Sequence, residues 1–139
     1  MKGYTNLEQS KKLAGILPIE SADHHYVRKI TDFMGKPVDG KWSNPKYGNP
    51  NSKHANYMAQ NFTSYELTPC WSLVALLEVM PKQLGRYTLT LYWCDDSWCC
   101  SYIDDGSEIK ETSSANNPVD ATVEMIVKLK EKDLLWAYL

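Results

Sequence analysis

The chain has little of what metal and nucleophile chemistry normally requires. It holds four cysteines, at positions 70, 94, 99 and 100, and three histidines, at 24, 25 and 54. A structural zinc site uses paired Cys-x-x-Cys or closely spaced Cys and His. Cys94 followed at a distance by the adjacent Cys99 and Cys100 is a different pattern. Neighbouring residues of a strand point to opposite faces, so Cys99 and Cys100 reach one metal only through a bulge. Asp95-Asp96 and Asp104-Asp105 are carboxylate pairs in turn-like surroundings without a calcium-loop pattern. There is no Gly-rich phosphate loop and no Walker-type lysine. No cofactor and no metal are expected.

A nucleophilic site needs a histidine set against a Cys or Ser, with a third group orienting it. No known signature surrounds His24, His25 or His54. Cys70 stands at the expected start of a helix, where the dipole lowers a thiol pKa, but a Cys beside Trp71 in a core helix is more often a packed apolar residue. No catalytic residue is assigned, and an enzyme is the third choice behind two kinds of binding protein.

Long apolar runs are also absent. The richest stretch, residues 69–81, is thirteen residues long. A bilayer needs about 20, so no membrane partner is expected. Met1-Lys2-Gly3-Tyr4 opens no apolar signal segment, so a cytoplasmic protein with reduced thiols is expected. There are only two Phe, against five Trp and nine Tyr. Tyr and Trp join apolar area to a polar handle and suit half-buried surfaces.

A chain of 139 residues with a 43% apolar fraction is long enough to bury a core. Residues 69–81 read as a core helix, apolar nearly all round, with Thr68 as cap, Pro69 at the first position and Pro81 as the stop. Thr5 and Glu8 form a capping-box pair ahead of an amphipathic helix with Leu7, Leu13, Ala14, Ile16 and Leu17 on one face. Residues 21–34 fit a helix through Tyr26, Ile30, Phe33 and Met34, or a short strand through Tyr26 to Ile30. Alternation from Tyr87 to Trp93 marks a half-buried strand. A second strand from Trp98 to Ile103 and a third, edge strand from Glu108 to Ser113 complete a meander with Asp-rich turns. With two central residues in the first turn, Trp93 faces Trp98; with four, Cys94 faces Cys99. Asn117, Pro118 and Asp120 open a last helix with Val119, Val123, Ile126 and Leu129 or Lys130 inward, and Glu124 paired to Lys128. The expected fold is α+β: one domain over residues 1–139, a three-stranded antiparallel meander packed with about three helices, and a loop-rich insertion at about 35–68.

That insertion carries turn signals at Pro37, Gly40, Asn44-Pro45, Gly48 and Asn49-Pro50. It also carries Trp42, Tyr47 and Tyr57 among Lys41, Lys46 and Lys53. Residues 24–60 hold six basic side chains against two acidic ones, a net charge of +4. Aromatics interleaved with lysines stack bases and neutralise phosphates, or else pin a long loop to the body. These six residues are the candidate binding residues. The candidate partners are a host protein or a small anionic ligand such as a nucleotide. The apolar end, residues 134–139, either docks on the body or joins a partner chain, and the oligomeric state is open.

Two segments carry a resemblance. Pro69-Cys70-Trp71-Ser72-Leu73-x-Ala75-Leu76-Leu77 and Asn117-Pro118-Val119-Asp120-Ala121-x-Val123-Glu124-Met125-Ile126-x-x-Leu129-Lys130 resemble a family of small uncharacterised proteins encoded in prophages and mobile elements of gut anaerobic bacteria. The opening Met1-Lys2-Gly3-Tyr4-Thr5 and Leu17-Pro18-x-Glu20-Ser21-Ala22-Asp23 fit the same family; residues 35–65 do not. The resemblance implies a setting, an intracellular accessory protein of a phage or mobile element, and no catalytic residues. From the cysteine spacing, elemental analysis of the purified protein is expected to show no stoichiometric zinc. Zinc at one equivalent would contradict that.

Overall fold

The computed structural model describes residues 2–58 and 63–136. Their fold is α+β, with four α-helices and two antiparallel sheets of three and four strands. The chain divides into two compact units, residues 4–75 and residues 76–136 with 2–3.

In the first unit, β1 (His24–Lys29) lies between β2 (Lys46–Tyr47) and β3 (Tyr65–Cys70). Helix α1 (Leu7–Ala14) packs on β3, and α2 (Pro50–Met58) packs on β3 and on a 3-10 turn at Ile19–Ser21. The strand alternative for residues 21–34 is therefore the observed one. Three successive residues, His25, Tyr26 and Val27, are buried because both faces of β1 are covered. Tyr26 Oη donates to the Thr5 carbonyl at 2.7 Å, while the His25 ring turns to Tyr57 of α2. A strand covered on both faces loses its alternation, so periodicity alone cannot tell it from a short helix.

The core helix is shorter than expected. Residues 65–70 belong to β3, and α3 spans only Leu73–Val79. Its cap is Ser72, whose Oγ accepts from Ala75 N–H at 3.2 Å, and not Thr68. Pro69 sits opposite His25 in an edge strand, where its missing N–H costs no ladder bond. The helix is not buried all round either. Trp71, Ala75, Leu76 and Met80 are buried, but Val74 is 65% exposed. The cap of α1 likewise moves by one residue. Asn6 and Gln9 form the capping box, and Thr5 is buried with its hydroxyl 2.7 Å from Ser10 Oγ. The stretch expected as a loop-rich insertion holds β2, α2 and the start of β3.

In the second unit the sheet order is β4 (Gln83–Leu84), β5 (Tyr87–Cys94), β6 (Ser97–Ile103) and β7 (Ile109–Ala115). The meander is thus present as β5-β6-β7, with β4 as a fourth strand. Asp95 and Asp96 have φ of 50° and 64°, the left-handed pair that a two-residue hairpin turn requires. Trp93 then faces Trp98, with ring centroids 5.8 Å apart at 72°. The second turn is longer than an Asp-Gly turn. The Asp104 carbonyl accepts from Ser107 N–H at 3.0 Å, Asp104 N–H donates to the Glu108 carbonyl, and Ser107 takes the left-handed φ of 65°.

Helix α4 (Pro118–Glu131) packs on β6 and β7. Asn117 caps it through Asp120 N–H at 2.9 Å, and Val119, Val123, Ile126 and Leu129 are buried. Lys128 does not show the expected pairing with Glu124. Its ammonium donates to the Thr112 carbonyl on the open edge of β7, one way to blunt an edge strand. Leu76 has no exposed surface, whereas Leu77 is half-buried. Leu76→Ala is therefore expected to cost about 2–5 kcal/mol in urea unfolding, and Leu77→Ala less. A loss below about 1 kcal/mol for Leu76→Ala would show that the core lies elsewhere.

Candidate binding site

The β1–β2 register sets His24 opposite Tyr47 and His25 opposite Lys46. The His24 ring lies 4.6 Å from the Tyr4 ring and 5.5 Å from the Tyr47 ring, the latter edge-on at 89°. Tyr4 reaches this place because its backbone bridges to Ser72. Tyr47 is 80% exposed and Tyr4 is also exposed. The result is a row of three rings, drawn from the segment before α1, from β1 and from β2, in which Tyr4 and Tyr47 are exposed and the His24 side chain between them is largely covered.

Behind this row stands Asp23. Its Oδ1 accepts from Ser72 N–H at 2.9 Å and its Oδ2 from Ser72 Oγ at 2.5 Å. His24 Nδ1 lies 3.0 Å from Asp23 Oδ1, an ion-pair distance, but is not aligned as a hydrogen bond. Burial pushes the Asp23 carboxyl up, but the Ser72 bonds and the adjacent imidazole together outweigh it and hold the group below its ordinary value. Asp, His and Ser are the residue types of a nucleophilic triad, yet the connections differ. Ser72 gives its proton to the carboxylate and accepts Ala75 N–H, so its hydroxyl is a helix cap and not a nucleophile polarised by imidazole.

His25 is a second polar anchor. Its Nδ1 is 2.9 Å from the Gly48 carbonyl and its Nε2 2.9 Å from Tyr57 Oη. The Tyr57 ring also packs against His25 and Tyr65, with centroids 5.6 and 5.3 Å away. Trp42 lies between the Lys11 ammonium, 5.4 Å from its ring centre, and the Arg28 guanidinium, 4.9 Å away. Arg28 is itself paired to Glu66 at 2.7 Å. The Lys53 stem lies close over Gly48, whose φ of 115° suits glycine. Lys41 and Lys46 are exposed.

Of the six candidate residues, only Lys46 and Tyr47 therefore stand together at the surface. Tyr57 and Trp42 anchor the segment to its own unit, Lys53 lies along the backbone, and Lys41 stands apart. Tyr4, His24, Asp23 and Ser72 were not among the candidates. They come from three distant parts of the chain, and only the strand pairing brings them together.

The expected low-pKa position of Cys70 is not realised, because no helix begins there. The thiol ends β3 without exposed surface, 3.6 Å from the Thr5 carbonyl. Burial pushes it up, with a partial offset from bonds to Thr5, Ser10 and Tyr26. Burial also pushes Cys100 up to about 11. The exposed Cys94 is raised by the charge of neighbouring Asp95. Cys94 faces Ser97, not Cys99. No group of three or more His, Cys, Asp or Glu side chains converges as a metal site among the described residues.

In comparisons with known protein families, curated proteins and solved structures, nothing matches the chain.

The Asp23 carboxyl generates a pH prediction. A carboxyl held below its unfolded value adds stability that is fully present above that value, about 4, and is lost as pH falls through the lower folded value. The Asp23 side chain is 36% exposed, so replacement by Asn is expected to cost only about 1–2 kcal/mol near neutrality. The gap between wild type and Asp23→Asn in urea unfolding should narrow as the pH falls below about 4. A gap that stays constant over that range would contradict the assignment.

Proposed function

We propose that the protein is a non-enzymatic accessory protein of a phage or mobile element that binds a host protein through the ring row of its first unit. The setting comes from the resemblance of the Pro69 and Asn117 segments to prophage-encoded proteins. The observation that carries the binding reading is the exposed pair Tyr4 and Tyr47 on either side of the largely covered His24 ring, beside Lys46, on a sheet edge tied down by Asp23, His25 and Trp42. Tyrosine offers large contact area and a polar tip at low entropic cost, and binding residues gather where a rigid scaffold presents them. A cytoplasmic location belongs to the same proposal, supported by four free cysteines.

A nucleotide or other small anion is the second reading. It is favoured by the exposed Lys46 next to Tyr47, a cation for phosphate beside a ring for a base. Ultraviolet absorbance and mass spectrometry of the purified protein separate the two by revealing a co-purified ligand.

The direct test is capture of a partner from host lysate, followed by affinity measurements on purified components. Tyr47→Ala is expected to lower affinity by about tenfold or more without moving the unfolding midpoint. Trp42→Ala should lower stability instead, since it removes a ring held between two cations. Wild-type affinity in both Tyr4→Ala and Tyr47→Ala would remove the ring row as the binding surface.

A further inference from the structure

The ring row leaves unexplained a second exposed feature, the hairpin of residues 29–41. Its arms are joined by Val38 N–H to the Ile30 carbonyl at 2.9 Å and Gly40 N–H to the Lys29 carbonyl at 3.2 Å. Its root is fixed by Ile30 N–H to the Ser64 carbonyl at 2.9 Å and Ser64 N–H to Thr31 Oγ1 at 2.8 Å. At the tip, Asp32 Oδ1 accepts from both Met34 and Lys36 N–H at 2.9 Å, and Gly35 takes a φ of 78°. The turn is thus built from backbone and Asp32, and makes no use of the side chains at 33 and 34.

Those two side chains are Phe33, 66% exposed, and Met34, 68% exposed. Ile30 and Val38 add apolar area on the arms. Four exposed large apolar residues within nine positions form a concentration, not the scatter normal for a surface. Phe33 is also one of only two phenylalanines in the chain. Lys36 stands at the tip and Lys29 and Lys41 at the root of the two arms, all three exposed, against Asp39 and the turn-bound Asp32. This excess of positive charge continues across residues 24–60, whose net charge is +4.

We propose that this hairpin docks on the surface of an anionic phospholipid bilayer, with Phe33 and Met34 entering the boundary between headgroups and acyl chains. Lys29, Lys36 and Lys41 then lie against the anionic headgroups. A projecting apolar tip needs no matching cavity in a soft interface, and flanking lysines add attraction to an anionic leaflet. The length that rules out a spanning helix does not bear on a surface contact; no helix among the described residues is long and apolar enough to cross a membrane. The contact is separate from the protein-binding proposal and uses none of its residues.

The test is co-sedimentation of the full chain with vesicles of phosphatidylcholine alone and with about 30% phosphatidylserine, at low and high salt. The protein is expected to sediment with the anionic vesicles at low salt, less at high salt, and little with neutral ones. Phe33→Ser with Met34→Ser should lower vesicle affinity about tenfold, and Lys29→Glu with Lys36→Glu and Lys41→Glu should lower it at least as much. Both variants should keep the wild-type unfolding midpoint, because every altered side chain is exposed. Failure of the wild type to bind anionic vesicles overturns the proposal and leaves the tip to a protein partner. Equal binding by a folded serine variant, or equal binding to neutral vesicles, overturns it as well.

Discussion

The Asp23 carboxylate is the point on which the first unit depends. One oxygen takes the Ser72 N–H and the other the Ser72 hydroxyl, while the Asp23 backbone carbonyl takes Gly48 N–H at 2.8 Å. Three segments distant in sequence therefore meet at one residue: the entry to β1, the end of β2 and the start of α3. Ser72 in turn caps α3. Trp71, immediately before it, is fully buried, with Nε1 bonded to Ser21 Oγ at 2.9 Å and its backbone N–H to Thr5 Oγ1 at 3.2 Å. Buried polar groups left without partners are costly, so the order Ser21, Asp23, Trp71 and Ser72 specifies one arrangement of the chain here.

That constraint also decides what the neighbourhood can do. A serine that donates to a carboxylate and accepts from a helix amide has its proton and a lone pair committed. The Gly48 N–H bond to the Asp23 carbonyl holds β2 against β1, and the bridge from Tyr4 to Ser72 brings Tyr4 alongside, so His24 is set between Tyr4 and Tyr47. Residues that look catalytic by type act here as scaffold, and the surface they support is aromatic. Trp42 and Tyr57 divide along the same line. Clamped between Lys11 and Arg28, or bonded to His25, they hold the segment in place. Tyr47, on a two-residue edge strand, keeps its ring in solvent.

The second unit was largely legible because its signals are local. Alternation from Tyr87 to Trp93, the Asp95-Asp96 turn and the Asn117-Pro118 cap each act within a few residues, and the Trp93–Trp98 pair follows from turn length. The first unit was not, because its sheet is made by pairing across long separations. Thr68-Pro69 reads as a helix start or as an extended pair, since proline permits both, and only partnership with His24–Lys29 selects the strand. The buried run at His25, Tyr26 and Val27 blurs the period for the same reason. Lys128 had a helix partner by spacing at Glu124, and an unpaired edge carbonyl at Thr112 competes for it. Of the candidate site, Lys46 and Tyr47 were legible from composition. Tyr4 and His24 were not, because nothing local links them.

Amide hydrogen exchange at Ser72 tests the clasp most directly. If the Asp23 carboxylate closes the first unit, Ser72 N–H and Gly48 N–H exchange slowly near neutral pH, through opening of the unit and not through local fraying. In Asp23→Asn the Ser72 amide should then exchange about tenfold faster or more, with Leu129 in α4 unchanged. A Ser72 amide that exchanges in the wild type as fast as an unstructured peptide would contradict the account.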